Sequence, residues 1–313
     1  MVKFQAERFR QLWPTYLIDW ALCVAFLVGT LCLELVQPFR RHFSVHDVTI
    51  SFPYAVHETV TYGQAVAAVI VCPLVIMVGI NLSTRRGLFD LHQCVLGMLL
   101  TFTLTTIFTE VAKITVGRPR PDFLDRCKPN VTEDPPFGLS TVDVCTWTDK
   151  KIILDAMRSF MSGHTSTSFA GLGFLSLYMA GKLHVFDERG FVFKPLLCLL
   201  PLLGASLVGI SRICDYRHHW QDVLVGAITG FSMAYFAYRQ YYPSLSSPRC
   251  HRPFSPRIPA KRVEELKHSE ENVAEPECTP PSSQEAGEPC DDRPFDHSRT
   301  IEEGTVAEPV PVK

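Results

Sequence analysis

Six runs of apolar residues follow one another along the first 240 positions, at 17–36, 64–82, 91–112, 165–183, 194–211 and 222–241. Each approaches the roughly 20 residues a helix needs to cross a bilayer core. Hydrocarbon offers the backbone no hydrogen-bond partners, so each run is expected to be helical throughout. One such run would fit a buried helix of a soluble protein equally well, but six in succession would not. The first contains Asp19 and Glu34 and lacks a small-residue cleavage pattern, so it reads as a span rather than a removable signal. The pattern predicts an all-α polytopic membrane protein with six transmembrane helices. A cytosolic segment at 1–16 precedes a membrane domain at 17–242.

Composition changes the picture only beyond that point. The chain has 313 residues, 47% hydrophobic, and a net charge of −2, which argues against nucleic acid as a partner. The stretch after Tyr242 holds twelve of the 23 prolines and few aromatic residues. Such a segment buries too little apolar surface to offset its ordering entropy, so 243–313 is expected to be a disordered tail. Its basic start, Arg249, Arg252, Arg257, Lys261 and Arg262, suits anionic headgroups or simply marks the cytosolic side. Ser247-Pro248, Ser255-Pro256 and Thr279-Pro280 are candidate phosphorylation pairs.

An even number of spans places both termini on one side. With a cytosolic N-terminus, 37–63, 113–164 and 212–221 face a lumen or the exterior. Lys3, Arg8, Arg10, Arg85, Arg86, Lys182, Arg189 and Lys194 then lie on the cytosolic side, although the loop 113–164 is basic as well. The acceptor pattern Asn130-Val131-Thr132 supports the same orientation, whereas Asn81-Leu82-Ser83 falls on the wrong side, against a helix end. Among eleven cysteines, Cys23, Cys32, Cys72, Cys94 and Cys198 sit in apolar runs as small hydrophobes, and no Cys/His spacing reads as a zinc site. Cys127 and Cys145 share the long non-cytosolic loop and are candidates for a disulfide.

Three polar islands border the runs: KITVGRPRP at 113–121, SGH at 162–164 and SRICDYRHHWQD at 211–222. By the parity count all three share one face of the membrane. Lys113 and Arg120 supply a point charge and a planar fork suited to phosphate oxygens, after which Gly117 to Pro121 breaks the helix. Either cation alone would be explained by snorkelling at the lipid boundary. Ser162-Gly163-His164 precedes an apolar helix, where exposed amides favour an anion and His164 exchanges protons near neutral pH. His218 and Asp222 are four residues apart, the spacing that lets a carboxylate orient an imidazole if the segment is helical. His219 is a rival at three residues, and spacing does not choose between the two.

These islands resemble the tripartite signature of the type 2 phosphatidic acid phosphatase family, K-x6-RP, PSGH and SR-x5-H-x3-D. Lys113 with Arg120-Pro121 matches the first, Ser162-Gly163-His164 the second, and Ser211-Arg212, His218 and Asp222 the third. Met161 stands where the family usually has proline, which removes no charged or proton-transferring group. GRPRPDFLDRC and DYRHHWQDVLVG look most like the fungal diacylglycerol pyrophosphate phosphatase-type enzymes. The resemblance covers roughly 17–242.

The resemblance implies a lipid phosphate phosphatase with no metal or other cofactor, acting on phosphatidate, lysophosphatidate or diacylglycerol pyrophosphate. It selects His218 over His219 as the nucleophile. Asp222 would orient His218, and His164 would act as proton donor and then base. Lys113, Arg120, Ser162, Gly163 and Arg212 would bind the phosphate. Phospholipids and the bilayer are the expected partners; self-association into a homo-oligomer stays open. So does the membrane, among vacuole, endoplasmic reticulum, Golgi and plasma membrane. An inactive scaffold of the same family would be expected to lack motif residues. A transporter would more often bury its charges mid-span than at helix ends.

Overall fold

The computed structural model describes residues 13–146 and 150–257, and it is helical, with no strand among the described residues. A 3-10 turn at Trp13–Tyr16 leads into α1, Leu17–Glu34. Helix α2 opens at Tyr62–Val66, passes through a π-helical stretch at Ala67–Val71 and continues as Cys72–Ser83. Helix α3 is Leu88–Val116, and two short loop helices follow, α4 at Phe123–Cys127 and α5 at Lys150–Ala156. Helices α6 (Gly163–Leu183), α7 (Phe193–Cys214) and α8 (Trp220–Tyr241) complete the order. Every apolar run thus becomes a long helix.

Four segments, Pro14–Glu34, Gly63–Ser83, Leu88–Val116 and Phe193–Cys214, are long and apolar enough to cross a membrane. Helices α6 and α8 match them in length but are less apolar; α6 is the most buried helix of the bundle, and α8 packs one small-residue face against it while exposing Leu224, Ile228 and Phe236 on the other. Small residues bring their backbones together: a Cβ added at Gly230 would fall 2.1 Å from the Ser166 carbonyl oxygen, and one at Gly226 2.8 Å from that of Ser162. The outer helices show the opposite pattern. Leu27 and Leu31 on α1, and Leu196, Leu203 and Leu207 on α7, are each about half exposed, a surface suited to a hydrocarbon solvent.

At the Val116 end of α3 the chain turns sharply. Gly117 adopts φ 55°, and a Cβ there would lie 1.8 Å from the Phe39 carbonyl oxygen, so only glycine fits. The loops beyond it have their own small core of Phe43, Ile50, Phe123, Ile153 and Met157. A Cys127–Cys145 disulfide, which the sequence left open, closes part of them. Asp134 ties them further, accepting from Ser44 Oγ at 2.5 Å, Ser140 Oγ at 2.6 Å and the Val45 amide at 3.1 Å. Asn130 is exposed in this loop, whereas Asn81 is buried and donates to Asp90 at 3.1 Å, which gives that second acceptor pattern a packing role. Cys23, Cys94 and Cys198 are buried as expected, but Cys32 and Cys72 are exposed on the outer helices.

At the other end, residues 243–257 fold back over the helix ends, although their composition led to an expectation of disorder. The Phe254 amide donates to the Tyr241 carbonyl at 2.9 Å, Lys182 Nζ donates to the His251 carbonyl at 2.9 Å, and Arg257 pairs with Asp19 at 3.0 Å. These fasteners are backbone groups and ions, which hydrophobicity does not register. The rest of the expected tail, with Lys261, Arg262 and Thr279-Pro280, lies outside the described residues, as do Lys3, Arg8 and Arg10.

Candidate active site

The three polar islands meet at one end of the bundle: the end of α3, the start of α6 and the α7–α8 connection. A cavity of about 770 Å³ opens there, and its polar wall includes Glu110, Lys113, Arg120, Asp155, Gly163, His164 and His218. The cavity continues between α1, α2, α3 and α6 as an apolar slot past Leu27, Val69, Leu74, Met98 and Phe102. Lys113 Nζ donates to Glu110 at 2.5 Å, and a Cβ at Gly163 would come within 3.0 Å of that nitrogen, so the glycine lets the ammonium approach the backbone. Arg120 Nε and Nη2 donate to the Asp155 carbonyl and carboxylate, at 2.9 and 2.7 Å.

Ser162, Arg212 and Asp222 stand behind that wall, each almost fully buried. Ser162 is the N-cap of α6: its Oγ accepts from the Thr165 amide at 3.4 Å and from Thr165 Oγ1 at 2.9 Å. Arg212 donates to Glu58 at 2.7 Å, to the Val60 carbonyl at 2.8 Å and to Asp215 at 2.8 Å.

The expected bond from Asp222 to His218 is not formed. Helix α8 begins at Trp220, so His218 lies outside it and the four-residue rule does not apply. His219 is the N-cap instead, and Asp222 closes a capping box with it, accepting from the His219 amide at 3.1 Å and Nδ1 at 3.3 Å. Asp222 also takes Arg118 Nη1 at 2.7 Å and Ser159 Oγ at 2.5 Å. His218 is oriented by another group: its Nδ1 meets the Ser159 carbonyl at 2.7 Å. A carbonyl only accepts, so Nδ1 carries the proton and the Nε2 lone pair is left for chemistry. Ser159 therefore links the two, through its carbonyl to His218 and its hydroxyl to Asp222.

Sequence reasoning missed Ser159, Asp155, Glu58, Arg118 and the lattice of Asp122, Arg126 and Arg217. One piece carried a signal: Asp122 and Arg126 stand four apart beside α4, and Arg126 donates to Asp122 at 3.0 Å through Nε. The other pairs join distant loops, as when Arg217 donates to Glu58 at 2.6 Å. Burial, reinforced by the nearby Arg120 charge, pushes the His218 imidazole well below its ordinary value, so it is neutral at neutral pH. Burial would raise the Asp155 carboxyl, but Arg120 and Arg126 outweigh that and hold it at about 2.

Fold and site together describe a membrane-embedded enzyme with a cationic, two-histidine pocket opening on an apolar slot. Residues 94–245 match the model of the PAP2 superfamily. The chain is 40% identical to lipid phosphate phosphatase 2 of Arabidopsis thaliana, over 74% of this chain and 78% of the relative. It is also 40% identical to diacylglycerol pyrophosphate phosphatase 1 of Saccharomyces cerevisiae, over 70% and 76%, and to a probable diacylglycerol pyrophosphate phosphatase 1 of Schizosaccharomyces pombe, over 74% and 83%. The chain belongs to the PAP2 superfamily. No solved structure matches it.

Proposed function

We propose that this chain is an integral membrane phosphatase that removes phosphomonoester or pyrophosphate headgroups from lipids such as phosphatidate, lysophosphatidate and diacylglycerol pyrophosphate. The observation that carries this reading is a single cavity joining His218, His164, Lys113 and Arg120 to an apolar slot between helices. The one end suits a phosphate and the other an acyl chain, and the relatives are named for the same class of substrate.

In the mechanism, His218 Nε2 attacks phosphorus and a phosphorus–nitrogen bond forms. The ester bond breaks and its electron pair stays on the departing oxygen. His164, which burial and the Arg212 charge hold at about 4 before phosphate enters, takes up a proton when the negative phosphate binds and passes it to that oxygen. Water then attacks the phosphohistidine, gives its proton to His164 and releases phosphate, which regenerates His218. Lys113, Arg120 and the Gly163 amide stabilise the equatorial oxygens. Arg212 and Ser162 complete the cradle. For Arg212 this means exchanging a carboxylate, Glu58 or Asp215, for a phosphate oxygen. These fixed cations supply the charge that a metal would otherwise bring. Asp222 acts through Ser159 and the start of α8.

Six spans, with both termini cytosolic and the site on the lumenal or extracellular face, fit the disulfide and the exposed Asn130 in the site-side loops. The test is phosphate release from phosphatidate in detergent micelles with divalent metals chelated. Release that disappears in His218→Ala supports the reading. No release, or release only on adding metal, favours an inactive scaffold or another phosphatase class.

A further inference from the structure

We infer that Asp155 is a positioning residue for phosphate capture, setting the Arg120 guanidinium at the cavity wall while Arg126 holds Asp155 from behind. The inference rests on the function proposed above and adds a residue outside the three sequence islands. Asp155 comes from α5, in the long loop, and it lines the cavity beside Arg120, His164 and His218. Its side chain is 49% exposed and lines the cavity, while Ile153 and Ala156 of the same helix pack into the loop core.

Two bonds fix one edge of Arg120. Nε donates to the Asp155 carbonyl oxygen and Nη2 to Oδ1, at 2.9 and 2.7 Å, while the Arg120 amide binds the next carbonyl, Ala156, at 2.8 Å. Nη1 of Arg120 has no hydrogen-bond partner among the described residues, so the fork keeps donors for an incoming oxyanion. The other carboxylate oxygen of Asp155 accepts Arg126 Nη1 at 2.8 Å. Arg126 is itself 2% exposed and clamped by Asp122, next to the disulfide-bonded Cys127. The order of support therefore runs from the disulfide loop through Arg126 to Asp155 and then to the phosphate-binding guanidinium. A guanidinium held along one edge can be aimed, whereas one on a free side chain has to be ordered at each turnover.

A double-mutant cycle tests this. Arg120→Ala should lower kcat/KM on phosphatidate about 10²- to 10³-fold, as loss of one oxyanion donor does. Asp155→Ala should cost about 10²-fold, the scale of a displaced binding group. Asp155→Asn, which keeps an oxygen for Arg120 but cannot accept from Arg126 as a charge, should fall between Asp155→Ala and the parent enzyme. In the Arg120→Ala background, Asp155→Ala should add less than about a factor of three. Additive losses, or an Asp155→Ala enzyme with the parent kcat/KM, would overturn the inference. So would a loss matched by the fraction of protein unfolded in a thermal melt.

Calorimetric binding of orthovanadate, a mimic of the phosphoryl transition state, keeps the two claims separable. A parent protein that binds vanadate but releases no lipid phosphate sinks the proposed function. The positioning role still stands or falls on whether Asp155→Ala weakens vanadate binding in the parent but not in Arg120→Ala. A parent protein that binds no vanadate and releases no phosphate overturns both.

Discussion

Helix α3 buries ions at both of its ends, and the two clusters are built differently. Near Leu88, Asp90 accepts Lys182 Nζ on both oxygens at 2.7 Å, with Tyr242 at 3.1 Å and Asn81 at 3.1 Å. The remaining Lys182 donor goes to the His251 carbonyl of the folded-back segment. Near Val116, Lys113, Arg118, Arg120, Arg126, Arg212 and Arg217 alternate with Glu58, Glu110, Asp122, Asp155, Asp215 and Asp222. Here Lys113 and Arg120 also face a cavity. Burial and pairing of charges are common to both ends, so neither marks a site. A cation with donors left over, at the wall of a cavity, separates the reactive end from the closed one.

The strongest way to break this contrast is at His218. His218→Ala should lower kcat at least about 10³-fold while the bundle remains folded, as loss of a nucleophile does. The parent enzyme's pH profile sharpens the point. The buried imidazole has a lowered pKa, so it keeps its lone pair on the acid side of about 6.5, and the acid limb of kcat/KM should fall below that value. The same sign governs stability. The unfolded histidine takes up a proton first as pH falls below about 6.5, so stability present above that pH is lost below it, and the His218→Asn protein should lose less.

At the closed end the expected effect is on stability alone. Lys182→Met leaves the Asp90 carboxylate buried without its cation, a change that typically costs about 3–5 kcal/mol. Thermal unfolding in detergent should show that loss, and activity per folded molecule should match the parent. A fall in kcat beyond the unfolded fraction would mean the two ends are coupled, and the contrast would have to be dropped.

The long helices were legible in the sequence because burial in hydrocarbon writes itself as composition. The expected run 91–112 differs most, since α3 continues to Val116 and carries Lys113 on its last turn. The islands were legible because motif spacing survives as text. What stayed hidden was the pairing of charges across long separations, such as Arg212 with Glu58 at 154 residues and Arg120 with Asp155 at 35. Loop packing decides those partners, and no local period encodes it. The Asp222 partner was hidden for a different reason: one residue decides whether His218 or His219 starts the helix, and histidine is an uncommon N-cap. The folded-back segment 243–257 went unread because most of its fasteners are carbonyls and an ion pair, and its apolar anchors, Leu245 and the buried Cys250, are too few to form a run.

Reducing the Cys127–Cys145 disulfide probes the reactive end from outside. A disulfide of this kind contributes about 2–4 kcal/mol, mostly by restricting the unfolded loop. Reduction should therefore loosen the loops that carry Arg126 and Asp155 and lower activity, while the Asp90 cluster keeps the bundle folded. Limited proteolysis should cut within the loop before any helix. Cleavage at the helices first would show that the loop does not unfold separately.

The smallest effect is expected where the closed end meets solvent. Arg257 and Asp19 pair at 3.0 Å, but their side chains are 50% and 20% exposed, and such a pair is worth about 0–1 kcal/mol and weakens with salt. Arg257→Ala should shift the thermal midpoint slightly, and less at high salt, because the bonds from Lys182 to His251 and from Phe254 to Tyr241 remain. If Arg257→Ala instead destabilises the protein as much as Lys182→Met, the folded-back segment and not the buried pair holds that end together. The closed end would then depend on a surface clasp, and the difference between the two ion clusters would lie in how each is covered.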